Sequence, residues 1–255
     1  MRLVVKVGTS TLAHATGKLN LRRTEELCRV LGDLKNAGHE IVLVSSGAIG
    51  MGVGKLGLKE KPKDIPTKQA AAAVGQCELM YAYDKLFLEN GHTVAQILLT
   101  GADFSAEDRH ENFTNTVKRL FDLGVLPIIN ENDTIATDEI KVGDNDTLSA
   151  LVASSVKADI LIILSDVDGL YSADPRKDNT AKRIEEVHGV DETLFALAGG
   201  EGSALGTGGM RTKLVAARLA GKNGVDTVIA CGETPAVLYD IVAGKKANYT
   251  KIYAQ

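Results

Sequence analysis

Residues 206–213, "GTGGMRTK", place three glycines in four positions ahead of Arg211, Thr212 and Lys213, and then run into an alanine-rich apolar segment. Successive amides at a helix N-terminus carry partial positive charge and receive phosphate. Lys213 falls one turn inside such a helix. Far away in the chain, "KVGTST" at 6–11 puts Lys6 in or just after an apolar, β-branched run. A lysine in a covered sheet is costly unless it meets an anion, or unless it lies near the strand end and its ammonium reaches water. Gly8 lets backbone approach a ligand closely. "NENDT" (130–134) and "KVGDNDT" (141–147) are dense in Asn and Asp. Such stretches make turns, and two of them near strand ends also suit a polar pocket or the oxygen ligands of Mg²⁺.

Other chemistry is excluded or weakly supported. Each Gly-Lys pair, at 17–18, 54–55, 221–222 and 244–245, is followed by something other than Ser or Thr, so no Walker A loop exists. A G-x-G-x-x-G match at Gly52 to Gly57 sits several residues beyond the strand end that "SSG" already occupies. It reads as a flexible loop and not as a dinucleotide fingerprint. The five histidines lack metal-ligand spacing. The three cysteines, Cys28, Cys77 and Cys231, are far apart and read as reduced thiols of a cytoplasmic protein. A net charge of −4 gives no footprint for nucleic acid or anionic membrane. No stretch reads as a signal peptide or a membrane span.

The elements that must position these residues are legible as an alternation. Apolar runs at 2–7, 40–44, 93–99, 125–130, 159–166 and 226–231 read as strands buried on both faces. Helical patterns lie between them, at 21–37, 66–90, 105–123, 147–157 and 210–223. Asn20 caps the first of these helices, Pro66 sits near the start of the second, and Ser105 caps the third. Residues 168–190 are polar and turn-rich and read as an excursion, a hairpin over the sheet's edge. The pattern predicts an α/β fold: a mostly parallel, doubly wound central sheet between helical layers, a three-layer α/β/α sandwich. One domain with two lobes accounts for the length. Ligands of open α/β sheets bind beyond the carboxyl ends of the strands. The segments there, "KVGTST", "SSGAIG", "LTGAD", "NENDT", "SDVDG" and "CGET", are almost all small or polar.

Six motifs in order, "KVGTS" (6–10), "SSGAIG" (45–50), "INENDT" (129–134), "IKVGDND" (140–146), "SDVDGLYSADP" (165–175) and "GTGGMRTK" (206–213), resemble the amino acid kinase family. They cover the chain from about residue 2 to 245. "KVGTS" followed by "SSGAIG" favours the members whose acceptor is L-glutamate over those acting on aspartate, acetylglutamate or uridylate. The resemblance implies that Lys6 contacts the ATP phosphates, that Lys213 stabilises the transferring phosphoryl group, and that Asp146 organises the two lysines. It implies that Ser46, Asp133 and Asn145 hold glutamate. Gly8, Ser165, Asp166, and Thr207, Gly208, Gly209, Met210, Arg211, Thr212 and Lys213 would line the nucleotide site, with Mg²⁺ as companion.

The implied division is an acceptor lobe at about 1–150 and a nucleotide lobe at about 151–255 of a single domain. Many bacterial members carry an extra C-terminal PUA domain, for which this chain has no segment, and "NYTKIYAQ" reads as a tail. Feedback by L-proline, a homo-oligomer (dimer or tetramer), a cytoplasmic location and closure of the glycine-rich 47–57 segment over the product complete the expectation. Two other readings are open: a kinase of the same fold with another acceptor, and a non-catalytic amino-acid sensor.

Overall fold

The computed structural model describes residues 1–14, 16–136, 142, 144–173, 175, 178–197 and 209–255. The strands, in chain order, are β1 (Arg2–Val7), β2 (Glu40–Ser45), β3 (Val94–Leu99), β4 (Leu126–Glu131), β5 (Ile160–Ser165), β6 (Leu170–Tyr171), β7 (Arg183–Ile184), β8 (Glu186–His188), β9 (Asp226–Cys231) and β10 (Tyr249–Tyr253). The helices are α1 (Thr9–Leu12), α2 (Leu21–Asn36), α3 (Ala48–Lys55), α4 (Ile65–Glu89), α5 (Gly101–Ser105), α6 (Glu107–Asp122), α7 (Asn145–Ser155), α8 (Glu192–Leu197), α9 (Met210–Gly221) and α10 (Val237–Val242).

Eight strands form one sheet in the order β3-β4-β2-β1-β5-β9-β10-β8. Neighbours run parallel except β10, which is antiparallel to β9. β6 and β7 form the expected hairpin, and β8 returns from it to edge the main sheet beside β10. The alternation along β1 assigns its two faces. Leu3, Val5 and Val7 pack with Leu27 and Leu31 of α2, Leu79, Tyr83 and Phe87 of α4, and Leu238 of α10. Val4 faces the other way, with Phe113 of α6, Leu148 and Val152 of α7, and Ala216 and Ala220 of α9. Helices therefore cover both faces of a mostly parallel sheet, as the strand patterns predict. A side chain at position 6 shares the face of Val4 and must point toward α7 and α9.

Four expectations need correction. The Gly52–Gly57 match is not a flexible loop: residues 48–55 are helix α3, packed along α4 at backbone contact distance. A Cβ on Gly52 would stand 1.8 Å from the Ala71 carbonyl oxygen, and one on Gly75 would stand 1.7 Å from that of Ala48. A helix held this closely is a wall, not a closing flap. Ser105 does not cap α6; it ends the short α5, its hydroxyl donates back to the Gly101 carbonyl, and Ala106 opens α6. α7 begins at Asn145 because Asp144 accepts from the Thr147 amide (2.8 Å), turning Asn-Asp residues read as a turn into a first helical turn. The "tail" is β10, an interior strand of the sheet.

Candidate active site

β1 delivers Lys6 to its α7/α9 face as its geometry requires. The Lys6 Nζ lies 2.6 Å from Asp146 Oδ1, and Lys213 Nζ lies 3.2 Å from Asp146 Oδ2. The Thr212 hydroxyl donates to the same Oδ2 at 2.7 Å. Exposures of 7%, 1% and 4% for Lys6, Asp146 and Lys213 rule out a lysine reaching bulk water. Burial by itself would raise the Asp146 pKa. The Lys6 and Lys213 charges, with hydrogen bonds from Lys6 and Thr212, outweigh it and hold the carboxyl at about 2.

The three groups arrive from distant elements for separate reasons. Asp146 occupies the first turn of α7, where a negative charge suits the helix dipole. Lys213 occupies the first turn of α9, where a positive charge opposes the dipole. That placement works against the helix and is repaid only by an anion. Gly209 precedes α9 with no side-chain cap, so its first amides have no hydroxyl or carboxylate of their own cap residue bound to them.

Beside this cluster lies a cavity of about 400 Å³. Ser46, Asp133 and Asn145, expected to share an acceptor, all line it, with Asn130, Glu131 and Asp144. Asn145 is the hinge of the arrangement. Its Nδ2 donates to Ser46 Oγ (2.7 Å), Asn130 Oδ1 (2.9 Å) and the Ser45 carbonyl (3.2 Å). Asn145 and Asp146 are consecutive, so one helical turn joins the cavity to the lysine cluster. Gly47, at φ +111, makes the turn between β2 and α3 that exposes Ser46 to the cavity.

The remaining predicted residues divide. A Cβ on Gly8 would lie 3.5 Å from Lys6 Nζ, so the backbone there passes close to the ammonium. Ser165 ends β5, and its hydroxyl donates to Asp166 Oδ1 at 3.0 Å. Gly209, Met210 and Thr212 stand at the head of α9. Arg211 lies over the Phe195 ring of α8, 5.5 Å from its centroid. Thr207 and Gly208 lie outside the described residues.

Sequence reasoning marked Asn130 and Glu131 only as part of "NENDT", a stretch suited to a polar pocket, gave neither a role, and passed over Gln76. Glu131 is buried, and its Oε1 accepts from the Val142 amide at 2.6 Å. Asn130 and Glu131 stand at the carboxyl end of β4, where the "NENDT" segment was expected to meet a ligand. Gln76 shares the stripe of α4 that also buries Ala72, Leu79, Tyr83 and Phe87. A lone amide in a helical apolar stripe was the available signal. Among the described residues no group of three or more His, Cys, Asp or Glu side chains could hold a metal, and no helix is long and apolar enough to cross a membrane.

Residues 1–231 match the amino acid kinase family. A curated relative, "Glutamate 5-kinase" of Clostridium tetani, is 56% identical over 246 residues, covering 96% of this chain and 92% of the relative. The protein of the same name from Caldanaerobacter subterraneus is 55% identical over 250 residues, 98% of this chain and 67% of its own length. Among solved structures, UMP kinase from Ureaplasma parvum superposes with a TM-score of 0.68 at 15% identity, covering 99% of this chain and 98% of that one. The T. acidophilum isopentenyl phosphate kinase product complex gives 0.63 at 18% identity, with 99% and 100% covered. At such identities the two structures speak for the fold alone.

Proposed function

The chain belongs to the amino acid kinase family, and from that membership we propose that it moves the γ-phosphoryl group of ATP onto the side-chain carboxylate of L-glutamate. The products are L-glutamyl 5-phosphate and ADP, in the first step of proline biosynthesis from glutamate. The observation that carries this reading is the first turn of α7. Asn145 turns into a polar cavity sized for an amino acid while Asp146 gathers two buried ammonium groups next to it.

The acceptor needs no general base, since a glutamate carboxylate ionises near about 4.3. The obstacle is repulsion: like unit charges about 4 Å apart repel by about 4 kcal/mol at an effective dielectric of 20. Lys6, Lys213 and the amides at the head of α9 oppose it by position and charge. A carboxylate oxygen attacks the γ-phosphorus, the bond to the ADP oxygen breaks, and the electron pair leaves on ADP. Lys6 lies on the triphosphate and Lys213 on the transferring group, with Asp146 keeping both in register between turnovers. Ser46 and Asn145 take part of the acceptor's polar groups, and Asp133 pairs with its ammonium.

Mg²⁺, carried on the ATP phosphates, would supply further positive charge to the transferring group. Mg²⁺ keeps several waters and leans on substrate phosphates more than on all-protein cages. The absence of a three-carboxylate cluster among the described residues fits that habit. In this reading residues 1 to about 150 hold the acceptor and the rest hold the nucleotide. L-Proline, which carries the same α-ammonium and α-carboxylate, competes for the cavity, and the protein works in the cytoplasm as a homo-oligomer.

Incubation with L-glutamate, MgATP and hydroxylamine tests the assignment, because hydroxylamine traps an acyl phosphate as a stable hydroxamate. ADP release matched by γ-glutamyl hydroxamate is expected. ADP release with a different acceptor, or nucleotide binding with no ADP released, overturns it.

A further inference from the structure

We propose that Gln76, on α4, is a positioning residue that anchors Asn130, and through it Asn145, at the acceptor cavity. This inference rests on the cavity being the glutamate site.

Two groups beside these amides cannot reverse their hydrogen-bonding role. The Ser45 carbonyl only accepts, so the Asn145 amide must turn its Nδ2 toward it. The Glu131 backbone amide only donates, and it donates to Asn130 Oδ1 at 2.9 Å. Asn130 Oδ1 therefore faces Glu131 and Asn145, and the Asn130 Nδ2 is left pointing away from the cavity into the protein. Gln76 Oε1 receives it at 2.9 Å. Asn130 is 3% exposed and Gln76 8%, so water does not take over this role readily. The other end of the Gln76 amide points to Gln96 Oε1 at 3.5 Å, a weak contact.

The consequence reaches the ligand. With both N–H groups of Asn145 Nδ2 engaged among three protein acceptors, its Oδ1 is the end that faces a ligand. An acceptor oxygen there, with the Asp133 carboxylate, suits an ammonium. Without Gln76 Oε1, the Asn130 amide keeps its Oδ1 toward Glu131 and Asn145 but leaves a buried donor unsatisfied, which costs stability and loosens the side chain. Asn145 then loses the firm neighbour that fixes it. Seven residues on, and so on the same face of α4, Tyr83 hydrogen-bonds Ser45 Oγ at 2.8 Å. One helix thus holds both Ser45 and Asn130, the groups that flank Asn145.

The test is a set of kinetic constants on the full chain. Gln76→Met removes the acceptor; the KM for glutamate is expected to rise about fivefold to twentyfold, with the KM for ATP and kcat within about twofold. Gln76→Asn, which keeps an amide but withdraws it by one methylene, shifts the same constant in the same direction and serves if the Met variant does not fold. Gln76→Glu retains an oxygen acceptor and restores the glutamate KM to within about threefold of wild type. Leu79→Ala, also buried on the same helix but outside the relay, lowers Tm and leaves the ratio of the two KM values unchanged. A Gln76 variant that shifts neither KM or both alike, a Glu variant no better than Met, or a Leu79 variant that reproduces the split overturns the proposal. Failure of wild type to form glutamyl hydroxamate is a different result and strikes the functional assignment instead.

Discussion

At the scale of the residue, burial decides what the lysines are for. On sequence alone Lys6 could meet an anion or reach water, and only the resemblance pointed to Asp146 and Lys213 as its company. In the fold Lys6 sits mid-sheet between β2 and β5, and its ammonium ends on a carboxylate that is itself inaccessible. Lys213→Met keeps the stem and removes the charge. Loss of one group that stabilises transition-state charge is expected to lower kcat about 10²- to 10³-fold, with ATP binding, measured by calorimetry, largely kept. Near-normal turnover would remove Lys213 from the mechanism. Asp146 makes a pH statement as well. Its folded pKa, about 2, lies below the ordinary 3.8. The stabilisation is therefore complete above about pH 4 and fades as pH falls through about 2; it is worth on the order of 2 kcal/mol. Urea unfolding of wild type and Asp146→Asn should show a gap in stability that is widest above pH 4 and narrows on acidification. A constant gap would mean that the charge is not what matters. Gln76, and the pairing of Asn130 with it, were not legible at this scale, because an amide's importance lies in which partners the fold brings to it.

At the scale of the element, strand positions were read within about one residue, since a sheet covered on both faces leaves near-continuous apolar runs. Glycine misled. The run from Gly47 to Gly57 reads locally as flexible, and glycine lowers helix propensity by about 1 kcal/mol per residue. Tertiary packing reverses the sign: the missing side chains let α3 and α4 touch backbone to backbone. That contact matters for the site, because α3 contributes Ala48, Ile49, Gly50 and Val53 to the cavity wall and α4 carries Gln76 and Tyr83 behind it. Gly75→Ala places a methyl within 1.7 Å of the Ala48 carbonyl oxygen, which backbone cannot accommodate without the helices separating. Overpacking of this kind costs about 1–3 kcal/mol or more, and the KM for glutamate should rise with the lost stability while the KM for ATP holds. Chemical denaturation at wild-type values would show that the helices are not so tightly joined. The same competition explains α7. Its Asn-Asp start reads as a turn until Asp144 is seen to cap it, and no local pattern separates a cap from a turn.

At the scale of the whole molecule, one end of the sheet is stitched by a strand that sequence reading dismissed. β10 is short, and its burial alternates where the other strands are continuously apolar, so residues 248–255 lacked the signal that marked β1 to β5. Yet it lies between β9 and β8, and the hairpin is fastened through it: Thr250 Oγ1 accepts from the Leu170 amide at 2.8 Å and donates to the Ile184 carbonyl at 2.5 Å. Ile252 joins Leu170, Val187, Phe195 and Leu214 in a core of its own. Leu214 follows Lys213 directly, so the packing that β10 supplies also seats the head of α9. Deleting residues 248–255 removes the burial of Ile252, about 1.5–3 kcal/mol, and two Thr250 hydrogen bonds at about 1 kcal/mol each. For a chain of this size those losses lower Tm by roughly 10 °C. Because β10 borders the β9 and α9 side and leaves the cavity wall of α3, α4 and β4 intact, the KM for ATP should rise more than that for glutamate. Thermal melting and steady-state kinetics of the shortened chain check both halves. An unchanged Tm would make the strand dispensable, and a glutamate KM that moved more than the ATP KM would show that its influence runs to the cavity instead.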